Sequence, residues 1–544
     1  MIGAARIART RNLFAPVSHA AICRAAVLLA GQLLVWYSGQ SLWATSANAD
    51  DKLSPQIREV ISDARFKHAH WGILVADRAK GEVVYELDAD KLFAPASTTK
   101  LYSVAAALDE LGGKFRFETP VYRRGAVNAA GVLEGDLILV AVGDLTLGGR
   151  TTTTGEIEYT KADHTYANPS GKAVLTTGDP LAGLNELARQ VAKAGIRQVR
   201  GQIIIDARAF APANATGSGP SQLTPIMVND NLIDFTITPT AKGAPAKVDW
   251  RPRSAALQVD AQVETIAAGG ETKIDCRPAG EDRLVLRGRI AADRPRFVYV
   301  QEVADPARWA RTLFIEALAR AGVAVSASLY EPNPEGMLPK PGDTQGLDRV
   351  ALLKSPPFSE NAQLILKVSH NLHASTLPLL IAVRHGKRQL EEGLRLEHDF
   401  LKRAGLDADS ISFAGGAGGA QADQTTPRMT VALLRYMSTR PDFAVYERAL
   451  PILGVDGTLA DDVPTNSPAR GKVRAKTGTF VWRNAMNDHY LVSSKALAGY
   501  LTAKSGRELV FSFVVNGVQV DKALETKTVG KVLAHLCEIV QQAH

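Results

Sequence analysis

The sequence predicts an α/β protein with a long β-rich stretch in its middle, and three observations carry this. Helix and strand patterns mix near the N-terminal end. The texture changes between roughly 118 and 340. Helical periodicity then returns after about 345.

Lys52 to Phe66 places Ile57, Val60 and Ile61 at helical spacing, and Trp71–Val75 and Glu82–Leu87 read as strands joined by the turn Arg78-Ala79-Lys80-Gly81. A helix opens near Ser97, continues through the apolar run Val104–Leu108, and stops at Gly112-Gly113. In the middle, short apolar runs such as Leu137–Val140, Ile203–Ile205, Leu284–Leu286 and Phe297–Val300 alternate with Gly, Pro and Asp, with one helix expected at Leu181–Ala194. The Thr-rich stretch Thr151–Thr177, with His164, reads as a solvated loop, and Glu331–Gly336 as a linker. Later come helices at Glu360–His370 and Gln389–Ala404, and strands at Ala496–Ala503 and Glu508–Val515. A last helix carries the stripe Val529, Val532, Leu533, Leu536, Cys537 and Val540, expected to pack on a sheet.

The chain has 544 residues, 46% of them apolar and 22% charged, as in ordinary globular proteins. Four arginines and no acid fall in residues 1–49, so the rest carries only +3 of the formal +7. No Lys/Arg cluster is interleaved with aromatics, which argues against nucleic acid. Those arginines precede the apolar run Ala25–Trp36, too short for the ~20 residues of a membrane span, and Ala47-Asn48-Ala49 fits a cleavage site. An export signal at 1–49 is expected, with the mature protein extracytoplasmic, in the periplasm if there is one. Beyond it remain Cys276 and Cys537, too few for a disulfide scaffold, and no Cys/His cluster with metal-ligand spacing.

Three short motifs carry the chemistry. Ser97-Thr98-Thr99-Lys100 puts a hydroxyl and an amine on one helix face. A buried lysine loses basicity, so Lys100 can take the proton of a nucleophilic Ser97. Ser369-His370-Asn371 offers a hydroxyl that can relay a proton and an amide that can bind a substrate's backbone. Lys476-Thr477-Gly478-Thr479 offers a fixed cation for a terminal carboxylate, two hydroxyls, and a glycine that lets a substrate approach. The backbone N–H groups of Ser97 and Thr479 are the expected oxyanion hole.

In this order the motifs match the set of the penicillin-recognising acyl-serine enzymes. Ser97 and Ser369 lie 272 positions apart, which makes 118–340 an insertion between two halves of one domain. The chain closely resembles the penicillin-binding protein 4 type of D-alanyl-D-alanine carboxypeptidase/endopeptidase. Supporting stretches are Gly143-Asp144-Leu145-Thr146-Leu147, Asn229-Asp230-Asn231-Leu232, Leu450–Leu459 and Leu497-Ala498-Gly499-Tyr500.

The resemblance implies a serine transpeptidase-like domain, an antiparallel sheet flanked by helices, built from 50–117 and 341–544. It implies catalytic Ser97, Lys100 and Ser369; substrate contacts at Asn371, Lys476, Thr477, Gly478 and Thr479; and no metal or cofactor. Peptidoglycan stem peptides are the implied substrates and β-lactams the covalent inhibitors. A β-lactamase, a D-amino-acid esterase and an inactive cell-wall-binding protein remain alternatives. The family usually has Asp where His370 stands, so subsite shape is open; His370 itself is expected to face solvent. The chain also departs at Phe413–Gly419, where Gly415–Gly419 is expected to be a flexible rim of the cleft, and at Val481–Ser494.

Overall fold

Both ends of the described chain meet in one antiparallel sheet. The structure, a computed structural model, describes residues 53–340 and 343–544; the expected export signal lies outside them. The strand order is Val473–Asn484, His489–Thr502, Glu508–Asn516, His70–Asp77 and Val83–Leu87. His70 lies opposite Asn516 and Asp77 opposite Leu509, so an early strand is seated between a late strand and its own hairpin partner.

Alternation along the strands gives the sheet two buried faces. Ile73, Val75, Phe511 and Phe513 join Leu53 and Ile57 of the helix Leu53–Ile61 in one core. Leu533, Leu536, Cys537 and Val540 of the C-terminal helix Thr526–Ala543 complete it. The C-terminal stripe therefore packs on the sheet, as expected. No helix among the described residues is long and apolar enough to cross a membrane. The helix Lys100–Leu111 is buried from Lys100 to Leu108 and packs against Asn371–Arg384.

The middle region forms a second mixed sheet. Glu118–Val127 pairs with Val132–Val140, and also with Asp348–Lys354, so strand pairing places 348–354 with the inserted region rather than with the part expected from 341. Two helices cover this sheet, Ala182–Lys193 and Pro306–Arg320, where one was expected. The second has a capping Asp305, Pro306 at its start, and a buried Ala310, Leu313, Phe314, Ala317, Leu318 stripe. Two three-stranded sheets, around Leu232–Thr238 and Arg283–Ala291, share a further core that holds Cys276.

Two expectations for loops fail. Glu331–Gly336 is docked rather than a linker, because the Asn333 amide exchanges two 2.9 Å hydrogen bonds with the backbone of Ile205. The Thr151–Thr177 segment is not a solvated excursion. Asp163, His164 and Thr165 are buried: Asp163 pairs with Arg150, His164 meets Asp230 and Asp234 from 66 and 70 positions away, and Thr165 donates to Asp163.

Candidate active site

Ser97, the expected nucleophile, sits on a single helical turn, Ala96–Thr99, directly before Lys100–Leu111. Ala96 takes a positive φ of 47° there, a conformation that non-glycine residues adopt only where the surroundings impose it. Ser97 and Lys100 share a face, and Lys100 Nζ lies 2.8 Å from Ser97 Oγ.

Lys100 Nζ is also 2.7 Å from Asn371 Oδ1 and 2.8 Å from the Ala417 carbonyl. Neither oxygen has a proton to give, so each accepts an N–H of the amine. The remaining position faces the Ser97 hydroxyl. A neutral amine with two N–H groups so committed points its lone pair at that hydroxyl. Burial pushes the Lys100 pKa well below the usual lysine range and the nearby Lys476 charge lowers it further, with Asp423 opposing.

Ser369 ends the turn after Phe358–Lys367, and Asn371 opens the helix Asn371–Arg384. That second helix gave no periodic signal, because it is apolar nearly all round and buried from Asn371 to Ala382. Ser369 has a φ of 64°, strain of about 1–3 kcal/mol that its contacts sustain. The Tyr166 hydroxyl donates to its carbonyl. Asn371 Nδ2 donates to Ser218 Oγ at 3.0 Å, so both ends of the Asn371 amide are engaged. Gly217 lies so close that a Cβ there would come within 2.4 Å of Asn371 Nδ2.

Lys476, Thr477, Gly478 and Thr479 lie within the edge strand Val473–Asn484. Lys476 Nζ donates to Ser369 Oγ at 3.0 Å and to the Thr477 carbonyl at 2.7 Å. Burial, with the Lys495 charge, pushes its pKa down to about 7. Thr477 Oγ1 is 2.8 Å from Thr458 Oγ1, and Thr479 Oγ1 accepts from Lys495 at 2.8 Å. A Cβ on Gly478 would sit 2.5 Å from the Pro95 carbonyl, so the strand runs hard against the nucleophile's turn.

Contacts thus tie Ser97 and Asn371 to Lys100, and Ser369 to Lys476, and the chain step from Ser369 to Asn371 joins the two groups. Sequence reasoning gave no role to Tyr166, Ser218, Ala417, Asp423, Thr458 and Lys495, which come from loops, short helical turns and a strand. It also misplaced Gly415–Gly419. This segment is no flexible rim: Ser103 Oγ donates to the Gly416 carbonyl, and Asp423 accepts from the N–H groups of Ala414 and Ala420. Two departures noted in the sequence have different fates. The Val481–Ser494 stretch lengthens the hairpin, its tip at Met486 exposed. His370 does not face solvent; it is 0% exposed and stacks on His373.

His370 and His373 adjoin Asp163, His164 and Asp230, groups that chain spacing did not bring together and that could supply metal ligands. Asp230 Oδ2 accepts from Arg150 and His164 and Oδ1 from His373. With both oxygens so engaged, the cluster is an ion-pair network. A separate hollow of about 440 Å³, lined by Glu397, Leu401 and Phe413 among others, lies away from these groups.

A serine beside a buried lysine, a second serine–asparagine pair and a lysine on a sheet edge define the class of penicillin-recognising acyl-serine enzymes. Residues 53–536 match the D-Ala-D-Ala carboxypeptidase 3 (S13) family. The chain belongs to that family, and with it to the serine-type carboxypeptidases. It is 28% identical over 488 residues to a D-alanyl-D-alanine carboxypeptidase of Actinomadura sp. (strain R39), covering 86% of this chain and 81% of that one. It is 23% identical over 479 residues to the carboxypeptidase DacB of Haemophilus influenzae, covering 84% and 87%. The crystal structure of penicillin binding protein 4 from Haemophilus influenzae superposes with a TM-score of 0.66 at 19% identity, over 90% of this chain and 99% of that one. The β-rich insertion is part of that shared fold.

Proposed function

We propose that this chain is an exported serine D-alanyl-D-alanine carboxypeptidase and endopeptidase that cleaves peptidoglycan stem peptides through an acyl-enzyme on Ser97. The observation that carries this is the position of Lys100 Nζ, held by two carbonyl oxygens and facing the Ser97 hydroxyl.

Ser97 Oγ attacks the carbonyl of the scissile bond while Lys100 Nζ takes its proton. The N–H groups of Ser97 and Thr479 receive the oxyanion. Ser369, beside Lys476, passes to the leaving amine the proton that Lys100 took, so the C–N bond breaks, the terminal residue departs as a free amine and Lys100 is neutral again. Water then attacks the ester and gives a proton to Lys100, which returns it to Ser97 Oγ as the ester C–O bond breaks and the shortened peptide leaves. Lys476 anchors the terminal carboxylate, with Thr477 and Thr479 beside it, and Gly478 leaves room for the peptide. Asn371 Nδ2 gives one N–H to Ser218 and offers its second to the substrate backbone.

A related structure, again penicillin binding protein 4 from Haemophilus influenzae, was solved with a β-lactam, with a TM-score of 0.64. By the same acylation step β-lactams block Ser97 here. The test is incubation of the mature protein and of Ser97→Ala with a fluorescent penicillin, followed by intact mass. A stable adduct on the wild type alone supports the proposal; rapid drug turnover would point to a β-lactamase, and neither adduct nor turnover to a binding protein. Digestion of cross-linked and uncross-linked muropeptides then separates endopeptidase from carboxypeptidase action.

A further inference from the structure

The turn Asn229-Asp230-Asn231 is unusual in its backbone. All three residues have positive φ, 54°, 52° and 54°, whereas L-residues visit this region singly. Asn231 secures the turn by accepting from the Val228 N–H and donating to the Ile226 carbonyl. The strained turn drives the Asp230 carboxylate into the protein, where it is 4% exposed.

There Asp230 reaches from the inserted region to the helix that begins at Asn371. Its Oδ1 accepts from His373 Nε2 at 2.7 Å. His373 is in the first turn of that helix, and its backbone N–H donates to Nδ1 of His370, which caps the helix. The two imidazoles stack with centroids 3.8 Å apart. Asp230 Oδ2 is itself fixed by Arg150 at 2.6 Å and His164 at 2.7 Å. Asp163, Asp230 and Asp234 face Arg150, Arg251 and His164, which their carboxylates hold protonated against its burial. Three anions thus meet three cations while burial keeps His373 neutral, its pKa lowered to about 4.

Two further contacts run the same way. Tyr166 holds the Ser369 carbonyl and Ser218 holds the Asn371 amide. All three tethers start in the inserted region, and all three end on the first turn of the helix or on the residue pair flanking His370.

We propose that the inserted region positions the Ser369-His370-Asn371 turn for acylation, with Asp230 as the principal positioning residue acting through His373. This rests on the acyl-serine reading above and extends it: the insertion completes the active site. None of these groups touches the substrate. They fix Ser369 in its strained conformation and keep Asn371 Oδ1 on Lys100, so losing them changes both the speed of acylation and the basicity of Lys100.

The experiment uses the full mature chain and measures the second-order rate of acylation by a fluorescent penicillin across pH, together with thermal melting. His373→Leu removes the donor to Asp230, and His373→Gln keeps an N–H at a similar reach. Acylation about 100-fold slower in His373→Leu, the scale of a small misplacement of reacting groups, with a displaced acid limb, supports the proposal if His373→Gln recovers most of the rate. Equal rates in the two variants, or an unmoved acid limb, overturn it. Should His373→Leu fail to fold, Tyr166→Phe decides: acylation about tenfold slower, as for one lost hydrogen bond, at unchanged melting temperature supports positioning. Wild-type acylation in Tyr166→Phe overturns it. A wild-type protein that forms no adduct would instead sink the acyl-serine reading itself.

Discussion

Lys100 Nζ stands 2.8 Å from Ser97 Oγ with its other two hydrogen bonds spent on carbonyl oxygens. In the proposed mechanism Lys100 is the base. Lys100→Arg keeps a cation but removes a base that can be neutral at working pH. We expect acylation by penicillin to fall by about 10²–10⁴-fold, the usual contribution of a positioned general base. Wild-type acylation rates in Lys100→Arg, read by stopped-flow fluorescence, would assign the base elsewhere.

The proposed mechanism sets opposite requirements on Lys100 and Lys476. Lys100 must lose its proton to act, and its pKa is held well below the usual lysine range. Lys476 must keep its proton to hold a carboxylate, and its pKa is lowered to about 7. The acylation rate should therefore rise with pH as Lys100 deprotonates and fall again as pH passes about 7. Because the Lys495 charge is one cause of the lowered Lys476 value, Lys495→Gln should move the descending limb to higher pH. A descending limb that stays in place in Lys495→Gln would show that Lys476 does not govern it.

Glu397 is buried at 3% exposure, and neither carboxylate oxygen has a hydrogen-bond partner. Burial, with the Asp423 charge, pushes its pKa up to about 8. An unfolded glutamic acid ionises near ~4.3, so between these values the folded chain binds the extra proton. Stability from this group is complete below the lower value and drains away as pH rises through the upper one. Glu397→Gln removes that dependence. Its melting temperature should gain on the wild type steadily from pH 5 to pH 8; a constant difference would mean the group titrates normally.

Gly418 and Gly415 lie three residues apart and should respond differently to the same substitution. Gly418 has a φ of +78°, and a Cβ there would come 1.9 Å from the Ala96 carbonyl beside the nucleophile. Gly415 has no neighbour nearer than 3.8 Å to such a Cβ. Gly418→Ala should destabilise by about 2 kcal/mol or more and slow acylation, because Ala417 holds Lys100. Gly415→Ala should stay within about 0.5 kcal/mol. Chemical denaturation of both variants checks the contrast.

Local chemistry was legible in the sequence where backbone period alone sets geometry. Ser97 and Lys100 share a face because three residues make nearly one helical turn. The hairpin strands at His70–Asp77 and Val83–Leu87 announced themselves by the turn between two apolar runs, and the stripe of Thr526–Ala543 by 3.6-residue spacing. The helix Asn371–Arg384 did not, since a segment buried on every side has no polar face to reveal its period. His164 and His370 were misplaced for a related reason. A histidine's burial depends on which carboxylates meet it, and Asp230 and Asp234 reach His164 from 66 and 70 positions away. The sequence by itself determined which residue types could perform acyl transfer and the local turn that presents them. Only the tertiary structure decided that Asn371 and Ala417 would meet one amine and Lys476 would reach Ser369, because closing loops of such length is settled by the packing of whole layers and not by any local preference.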